Sequence, residues 1–460
     1  MNTLVDRRVW TFLALATGAF FGLVALSVPV YAAVLVGGLV AVIVLLPRMH
    51  VLVWLLFAAV LYEKSTYFLT LSALELTLSK QVVLLSIFVR GVVAVAKRDP
   101  FVRIQPFTLS FTVLLVVTVL GGAALGAPTG PYVGFVIRMV SLYALAHLVP
   151  MMLPARQLKT TLFVFAAGSF LSLLYVFGPT AYLDTGVELR YAGAVLDANA
   201  WCAVMFITTV PGLVVLSTKK SRWTPLLIVL VLALMYLNVF RTLSRSGLLV
   251  SVVMLPVLAV LIGRYRWVLA PALLCVLFFM GVLLDPEQLF ERYSTLIDSD
   301  LAEQDGSLNI RASMAQHAID IFRENWLFGI GPMGFREAVG GRTSGFSHHV
   351  AHNSYLTILA EQGVVGAAVY AWFFFDAAKL IAQAYRQAGT EVLRRIVGGY
   401  ALAYVCVAMM SFTLNYITDT ISYLILGVVV VLHQVSRLSA AELVDLGLGE
   451  ASELQANEAS

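Results

Sequence analysis

The residues best suited to chemistry in this sequence lie in three short polar groups, each beside a long apolar run. They are Arg190, Asp197 and Asn199 in ELRYAGAVLDANAWC, Arg241, Ser244, Arg245 and Ser246 in FRTLSRSG, and His348, His349, His352 and Asn353 in SHHVAHNSY. Arginine grips phosphate through paired, charge-assisted hydrogen bonds, and histidine is the side chain that exchanges a proton near neutral pH. The three groups therefore suit the binding of a phosphate and the transfer of a proton.

The arginines have two interpretations. An arginine beside an apolar run can simply anchor that run to lipid phosphates at the membrane surface. The positive-inside rule argues against this, because Arg190, Arg241 and Arg245 fall in short loops on the predicted outer side, where arginine is disfavoured. We therefore favour phosphate binding for Arg190 and Arg245. Arg241 is kept as a third candidate, for which anchoring is the stronger interpretation.

The histidines have three interpretations. The sequence HHVAH would place His348 and His352 on one face of a helix, where zinc binding is conceivable, but no HExxH motif or nearby cysteine accompanies them. A solvated or structural cluster is the second interpretation. Proton transfer by His352 is favoured, because Asn353 and an apolar helix follow it and place it at the mouth of a span. The sequence contains no Walker loop, and GIGPMG in a loop is weak as a nucleotide motif. We therefore expect no metal and no cofactor.

The composition indicates which kind of scaffold holds these groups. Of the 460 residues, 60% are hydrophobic and only 12% are charged, and the mean hydropathy is +0.90. Soluble domains have about twice that charged share, which excludes a cytoplasmic enzyme, a disordered chain and a nucleic-acid binder. The net charge of +4 indicates no polyanionic partner, and the three cysteines lie in apolar runs. The sequence predicts an all-α, polytopic integral membrane protein.

Apolar runs long enough to cross about 30 Å of hydrocarbon recur along the chain. Fourteen candidates lie at residues 10–28, 30–46, 51–69, 80–96, 107–126, 132–153, 160–178, 193–216, 223–240, 246–263, 267–284, 352–378, 396–414 and 418–437. The assignments at 10–28, 30–46 and 51–69 are the weakest of these, so we expect 12 to 14 transmembrane helices. With the N-terminus inside, most lysines and arginines fall in inner loops, which predicts that both termini are cytoplasmic. A cleaved signal ending near SVPVYAA is the alternative, but the apolar sequence resumes at once, so an uncleaved hairpin is preferred.

One long segment interrupts this alternation. Residues 285–351 are of mixed polarity and lie on the outer side by parity, and a structureless loop of that length is unusual. The sequence therefore predicts four parts. They are a transmembrane bundle of about 11 spans at residues 1–284, an outer loop domain at 285–351, about three further spans at 352–437, and a loose acidic cytoplasmic tail at 438–460.

The polar groups resemble elements of a bacterial inner-membrane family, the O-antigen ligase / O-antigen polymerase superfamily. ELRYAGAVLDANAWC is similar to the family's R-x-x-G-x-x-x-[DN]-x-N element before a span, and RTLSRSG is similar to its S-R-[SG]-G element. The stretch from Asn309 to Gly366 is similar to the family's signature outer loop and the helix that follows it. The architecture agrees along most of the chain, and the ordered set of motifs is specific for the superfamily rather than for one of its members.

The resemblance implies a glycosyltransferase that takes its glycan from undecaprenyl diphosphate at the periplasmic face of the inner membrane, without a nucleotide sugar or a metal. Arg190 and Arg245 would grip the diphosphate, with Arg241 able to share that role. His352 would act on the acceptor hydroxyl, and the transfer would invert the anomeric configuration. Four further residues would support this site: Asn199, Asn353, Arg311 and His349.

The resemblance leaves the acceptor open. In a ligase the acceptor is a sugar of the lipid A–core, and in an O-antigen or exopolysaccharide polymerase it is another lipid-linked repeat unit. We favour the ligase. A transporter or flippase for a lipid-linked anion is an alternative of another class, but no inverted repeat is evident and the clustered histidines of the long loop would be unexplained. The expected partners are the lipid-linked donor, the acceptor and membrane lipids, with no nucleic acid.

Overall fold

The computed structural model is helical along most of the chain. It describes residues 48–61, 78–100, 103–177, 182–184, 189–191, 197–283, 287, 293–294, 306–342, 351–414 and 419–450. Among these, seven helices are long and apolar enough to cross a membrane, and three shorter apolar helices accompany them. The all-α polytopic membrane class is therefore confirmed. The predicted spans at 10–28 and 30–46 lie outside the described residues, so the total of 12 to 14 spans stays a prediction.

Most of the described helices follow the predicted apolar runs; those at 306–324, 335–342 and 440–445 lie outside them. In the first part of the chain the helices are α1 (Met49–Leu61), α2 (Leu78–Lys97), α3 (Thr108–Ala124), α4 (Thr129–Met152) and α5 (Ala155–Ser172), which a 3₁₀ helix (Leu173–Phe177) continues. An antiparallel ribbon of β1 (Tyr182–Asp184) and β2 (Leu189–Tyr191) precedes α6 (Ala198–Ser217), α7 (Thr224–Arg241), α8 (Arg245–Ile262), a 3₁₀ helix (Gly263–Val268) and α9 (Leu269–Leu283). The remaining helices are α10 (Gly306–Glu324), α11 (Phe335–Arg342), α12 (Ser354–Gln387), α13 (Glu391–Met410), α14 (Thr420–Val435) and α15 (Ala440–Asp445).

The central helix of the bundle is α6. Its sequence ANAWCAVMFITTVPGLVVLS is apolar on every side, which is typical of a helix surrounded by other helices. All of its residues except Ala200 and Leu216 are buried, and it packs against α5, α7, α8 and α13. Whatever is attached to the ends of α6 is therefore held by a rigid core.

Contacts between antiparallel helices define the two ends of this core. Gly399 of α13 packs against Pro211 and Val214 of α6, and the Arg395 guanidinium donates to the Leu261 carbonyl at 2.6 Å and to the Ser217 hydroxyl at 2.7 Å. The C-termini of α6 and α8 therefore meet the start of α13 at one end, which we call the Arg395 end. At the opposite end α6, α8 and α12 begin and α7 and α13 finish, and we call it the His352 end.

A bend at Gly363 divides α12 into two segments. The Ser354 N–H donates to the Ser411 carbonyl at 2.8 Å, and the Tyr404 hydroxyl donates to the Phe374 carbonyl at 3.2 Å. Seven residues separate the two partners near α13, about 10 Å of helix, but twenty separate those on α12, about 30 Å. One straight helix cannot make both contacts, so residues 354–362 fold back over the end of α13.

The segment before α12 contains two helices that share a small core of their own. Met314, Ala318 and Ile321 of α10 are buried together with Phe335 and Val339 of α11. Ala351 and Ala360 complete this cluster, so the loop helices rest on the first segment of α12. The polar loop sequence is thereby attached to the same helix that His352 precedes.

Residues 439–450 differ from the expectation of a loose tail. Ser439 and Glu442 form a reciprocal capping box at the start of α15, and Leu443 and Leu448 are fully buried against the bundle. The Thr390 hydroxyl donates to the Leu448 carbonyl at 2.6 Å. The acidic composition suggested solvation, but two leucines with helical capping are enough to dock this part of the tail. Residues 451–460 lie outside the described residues.

Candidate functional site

The first two polar groups meet at the His352 end through Asn199. Its side-chain oxygen, which is buried, accepts hydrogen bonds from the Ser244 hydroxyl at 2.7 Å and from the Ser246 hydroxyl at 3.5 Å. Ser244 also caps α8 by accepting the Gly247 N–H at 3.1 Å, and Asp197 caps α6 by accepting the Ala200 N–H at 2.7 Å. These bonds fix the position of the α7–α8 turn relative to α6, as buried polar groups must find partners.

Tight packing makes the same junction rigid. Gly247 lies so close to α6 that a β-carbon at this position would stand 2.7 Å from the Cys202 sulfur. Below the turn, the Asn238 side chain accepts the Trp201 indole N–H at 3.0 Å and donates to the Leu173 carbonyl at 3.0 Å. The glycine of RTLSRSG thus permits close contact between α6 and α8. The hydrogen bonds of Asn238 hold α6, α7 and the 3₁₀ helix Leu173–Phe177 together. No motif of the sequence marks Trp201 or Asn238, because tryptophan is common in apolar spans and a single asparagine inside such a run is a weak signal.

The two arginines of the turn differ in their surroundings. Arg241 ends α7, is half-buried and donates a hydrogen bond to the Val176 carbonyl at the end of the 3₁₀ helix. Arg245 is the first residue of α8, also half-buried, next to the Ser244 cap. This contact joins Arg241 to the end of the 3₁₀ helix, and a role for it as a phosphate ligand stays a prediction.

His352 lies at the start of α12, between the loop segment and the bundle. It has a left-handed backbone (φ 48°), which is rare for non-glycine residues. Where such residues occur, they are concentrated at functional sites. Asn353 follows as the helix cap and accepts the N–H groups of Tyr355 and Leu356 at 3.0 and 3.1 Å. His352 is thus not helical, and the shared helical face proposed for it with His348 does not exist at this residue. His348 and His349 lie outside the described residues.

The electrostatics of the His352 end favour an anion. The N-termini of α6, α8 and α12 all lie at this end, and each brings the positive end of a helix dipole. Side chains cap all three helices, and the Asp197 carboxylate offsets part of the positive charge at α6. Arg241 and Arg245 add two full positive charges beside the start of α8. Helix N-termini together with guanidinium groups are a recurrent setting for phosphate binding.

The glycine-rich sequence FGIGPMG is a backbone clamp on the bend of α12. The Ile330 and Gly331 N–H groups donate to the carbonyls of Ala360 and Glu361, and the Val364 N–H donates to the Trp326 carbonyl at 2.9 Å. A β-carbon at Gly329 would lie 2.3 Å from the Glu361 carbonyl carbon, so the two backbones are in direct contact. The glycines therefore serve the close approach of two backbone segments, and this explains why GIGPMG lacks the strand and helix context of a nucleotide loop.

Glu361 is a functional candidate that sequence analysis missed. Its side chain is buried, and Oε1 accepts the Phe335 N–H at 3.2 Å at the start of α11. The carboxylate thus joins the bend of α12 to the loop helices. The only sequence signal was its position two residues before Gly363, inside a run that otherwise looks like an ordinary amphipathic helix.

Two further predicted site residues, Arg190 and Arg311, lie outside the elements that form the Asn199 junction. Arg190 lies in β2, where its backbone pairs with Leu183 of β1, and Arg311 lies half-buried on α10. The junction itself is formed by α6 and the α7–α8 turn. The helix directions place His352 at the His352 end, and the location of Arg190 and Arg311 there stays a prediction. In the described part of the chain no three His, Cys, Asp or Glu residues are grouped so that they could hold a metal ion.

Ionisable side chains inside the bundle have structural partners. Arg90 is buried and pairs with Asp99 at 2.6 Å, and this hydrogen bond is the main cause that lowers the pKa of the Asp99 carboxyl. The His147 ring contacts the Thr108 hydroxyl at 2.9 Å through Nε2 and the Tyr143 carbonyl at 2.8 Å through Nδ1. These contacts account for Arg90 and His147 without a catalytic role.

Fold and site together define a polytopic helical membrane protein with a rigid polar junction at one end. Residues 228–371 match the family model described as O-antigen ligase, and no curated protein matches the chain. The match supports the O-antigen ligase superfamily that the motifs indicated, over the part of the chain that it covers. The match runs from α7 into α12, so it includes the α7–α8 turn, the glycine clamp and His352, whereas Arg190 and Asn199 precede it. The family supports a ligase-like, glycosyltransferase-type activity in general terms.

Proposed function

We propose that this protein transfers a glycan from undecaprenyl diphosphate to a hydroxyl of a lipid A–core acceptor. The observation that carries the proposal is the convergence at the His352 end of three helix N-termini, two arginines and a histidine held outside the helix. A lipid diphosphate needs positive charge, and an acceptor hydroxyl needs a base. The His352 end offers both kinds of group on rigid elements.

In the proposed reaction, the acceptor oxygen forms a bond to the anomeric carbon of the donor glycan. The bond between that carbon and the diphosphate oxygen breaks, and undecaprenyl diphosphate leaves with the electron pair. His352 takes the proton of the acceptor hydroxyl as the attack proceeds. A single displacement of this kind inverts the anomeric configuration.

Arg245, supported by Arg190 and Arg241, would stabilise the negative charge that grows on the departing diphosphate. Asn199 holds Ser244 and Ser246, and through them the backbone from which Arg245 projects. Asn353 caps the helix behind His352, and Arg311 and His349 would contact the sugars from the loop segment. Apolar helix faces beside the site would accommodate the polyprenyl tail.

The proposed location is the inner membrane of a bacterium, with both termini in the cytoplasm and the His352 end at the periplasmic face. The distribution of lysine and arginine between alternate loops supports this orientation. The Arg395 end agrees with it, because Lys219, Lys220, Arg264, Arg394 and Arg395 gather there. Reactivity of a cysteine introduced at Arg386 towards an impermeant reagent in intact cells would contradict the orientation.

The test is a transfer assay with purified protein in nanodiscs, undecaprenyl-diphosphate-linked glycan and lipid A–core. Wild-type protein should join the glycan to the core. His352→Ala should lose transfer while keeping its melting temperature, and His317→Ala, at a half-buried histidine of α10, is the matched control. Retained turnover by His352→Ala would remove it as the base. Lengthening of the lipid-linked glycan, with the core untouched, would assign the protein as a polymerase, and neither product would favour a transporter.

A further inference from the structure

A polar cavity lies at the Arg395 end, on the opposite side of the bundle from the proposed transfer site. Its volume is about 470 Å³, within the range of about 300–1,000 Å³ that small-molecule sites occupy. It is lined by Lys159, Thr218, Lys219, Lys220, Val392, Gly447, Gly449 and Glu450. These residues come from the start of α5, the end of α6, the start of α13 and the docked C-terminal segment.

The charge of the lining is positive. Three lysines and a single carboxylate face the cavity, and that carboxylate, Glu450, pairs with Lys220. Lys220 is exposed and Glu450 is half-buried, so the pair is weakened by solvent, and three ammonium groups face one carboxylate in the lining. The Lys219 ammonium sits 4.4 Å above the Phe163 ring, which orients it without neutralising its charge.

The docked C-terminal segment provides one wall of the cavity. Leu443 and Leu448 are anchored in the bundle, and Gly447 lies between them with a left-handed backbone (φ 68°). A β-carbon at Gly447 would stand 2.1 Å from the Lys159 ammonium, so this glycine leaves the space in which the ammonium lies. The C-terminal segment therefore leaves room for the Lys159 ammonium beside the cavity.

We propose that this cavity binds the phosphate group of an anionic ligand. Its lining residues stand at the ends of spans, the depth at which phospholipid headgroups lie, and basic pockets between helices at that depth suit anionic headgroups. An anionic phospholipid or a soluble phosphate ester would supply the same group. The site is separate from the proposed transfer site, so its test does not depend on glycan transfer.

The experiment measures binding to the full-length protein in neutral detergent, using its tryptophan fluorescence. The probes are dihexanoyl phosphatidylglycerol, dihexanoyl phosphatidylcholine and glycerol 3-phosphate. Each lysine near a membrane surface contributes about 1 kcal/mol to binding an anionic headgroup, so the variant Lys159→Gln/Lys219→Gln should bind phosphatidylglycerol roughly 30-fold more weakly. Glu450→Gln removes the carboxylate and should tighten binding roughly fivefold.

The matched control is Lys379→Gln/Arg386→Gln, which removes two exposed positive charges of α12 outside the cavity. Its affinity should stay within about twofold of the wild type, because salt screens distant surface charges. Binding of phosphatidylglycerol alone supports a lipid headgroup, and equal binding of glycerol 3-phosphate supports a soluble ester. Equal losses in the cavity and control variants, or equal binding of phosphatidylcholine, would overturn the proposal.

Discussion

Replacing Gly363 by alanine should disable the proposed transfer site from a distance. Gly363 has φ 61° and ψ −164°, a conformation that is essentially restricted to glycine and costs other residues about 1–3 kcal/mol. The alanine methyl group would also lie 2.4 Å from the Leu327 carbonyl oxygen and 2.6 Å from the Phe328 nitrogen. Both neighbours are backbone atoms, so no side chain can rotate away to make room.

The size of the effect follows from this clash. Restoring ordinary van der Waals contact requires the two backbones to separate by about 1 Å, which breaks the hydrogen bonds of Val364 and Val365 to the Trp326 and Leu327 carbonyls, just before the FGIGPMG segment. The first segment of α12 then moves relative to the rest of the helix, and His352 moves with it. A misplacement of about 1 Å at a reacting group can lower the rate by about 100-fold.

The assay is the rate of glycan transfer to lipid A–core in nanodiscs, together with the melting temperature of the same preparations. We expect Gly363→Ala to remain inserted and mostly helical, with transfer reduced by about two orders of magnitude. Gly134→Ala in α4 is the matched control, because a β-carbon there meets no atom within 4 Å and alanine favours the helix. Wild-type transfer and stability in Gly363→Ala would refute the clamp as the device that positions His352.

Three further outcomes are expected. Asn353→Ala should destabilise the start of α12 by about 1 kcal/mol, and Asn353→Asp should restore the cap; a loss of transfer that Asp does not rescue would show that the amide contacts substrate. Transfer should persist in excess EDTA, whereas loss restored by one divalent ion would indicate a metal site at the histidines. The Ser439 contacts lower the pKa of Glu442, so its stabilisation of α15 is present above pH 4.5 and is lost as the pH falls through the lower folded value. The melting-temperature difference between wild type and Glu442→Gln should accordingly shrink on acidification, and a difference independent of pH would contradict this assignment.

Much of the fold is predictable because membrane helices obey two simple constraints. Long apolar runs must become helices in hydrocarbon, since each backbone polar group needs a partner there. Apart from α10 and α11 of the loop segment, the described helices from α1 to α14 accordingly follow the predicted runs, and polar caps such as Asp197, Ser244 and Asn353 explain where three of them begin. The docked tail escaped prediction because two buried leucines outweigh the acidic residues around them.

The chain's sequence by itself determined its membrane class, most of the described spans, its resemblance to the O-antigen ligase superfamily and the residue types available for chemistry. The tertiary structure decided that Asn199 joins the α7–α8 turn, that FGIGPMG grips the bend at Gly363, and that Glu361 links this bend to the loop helices. It also placed lysines from separate helices around one cavity with the C-terminal segment as a wall. Periodicity and motifs report what each segment becomes, whereas contacts between segments far apart in the chain depend on packing, which no local pattern encodes.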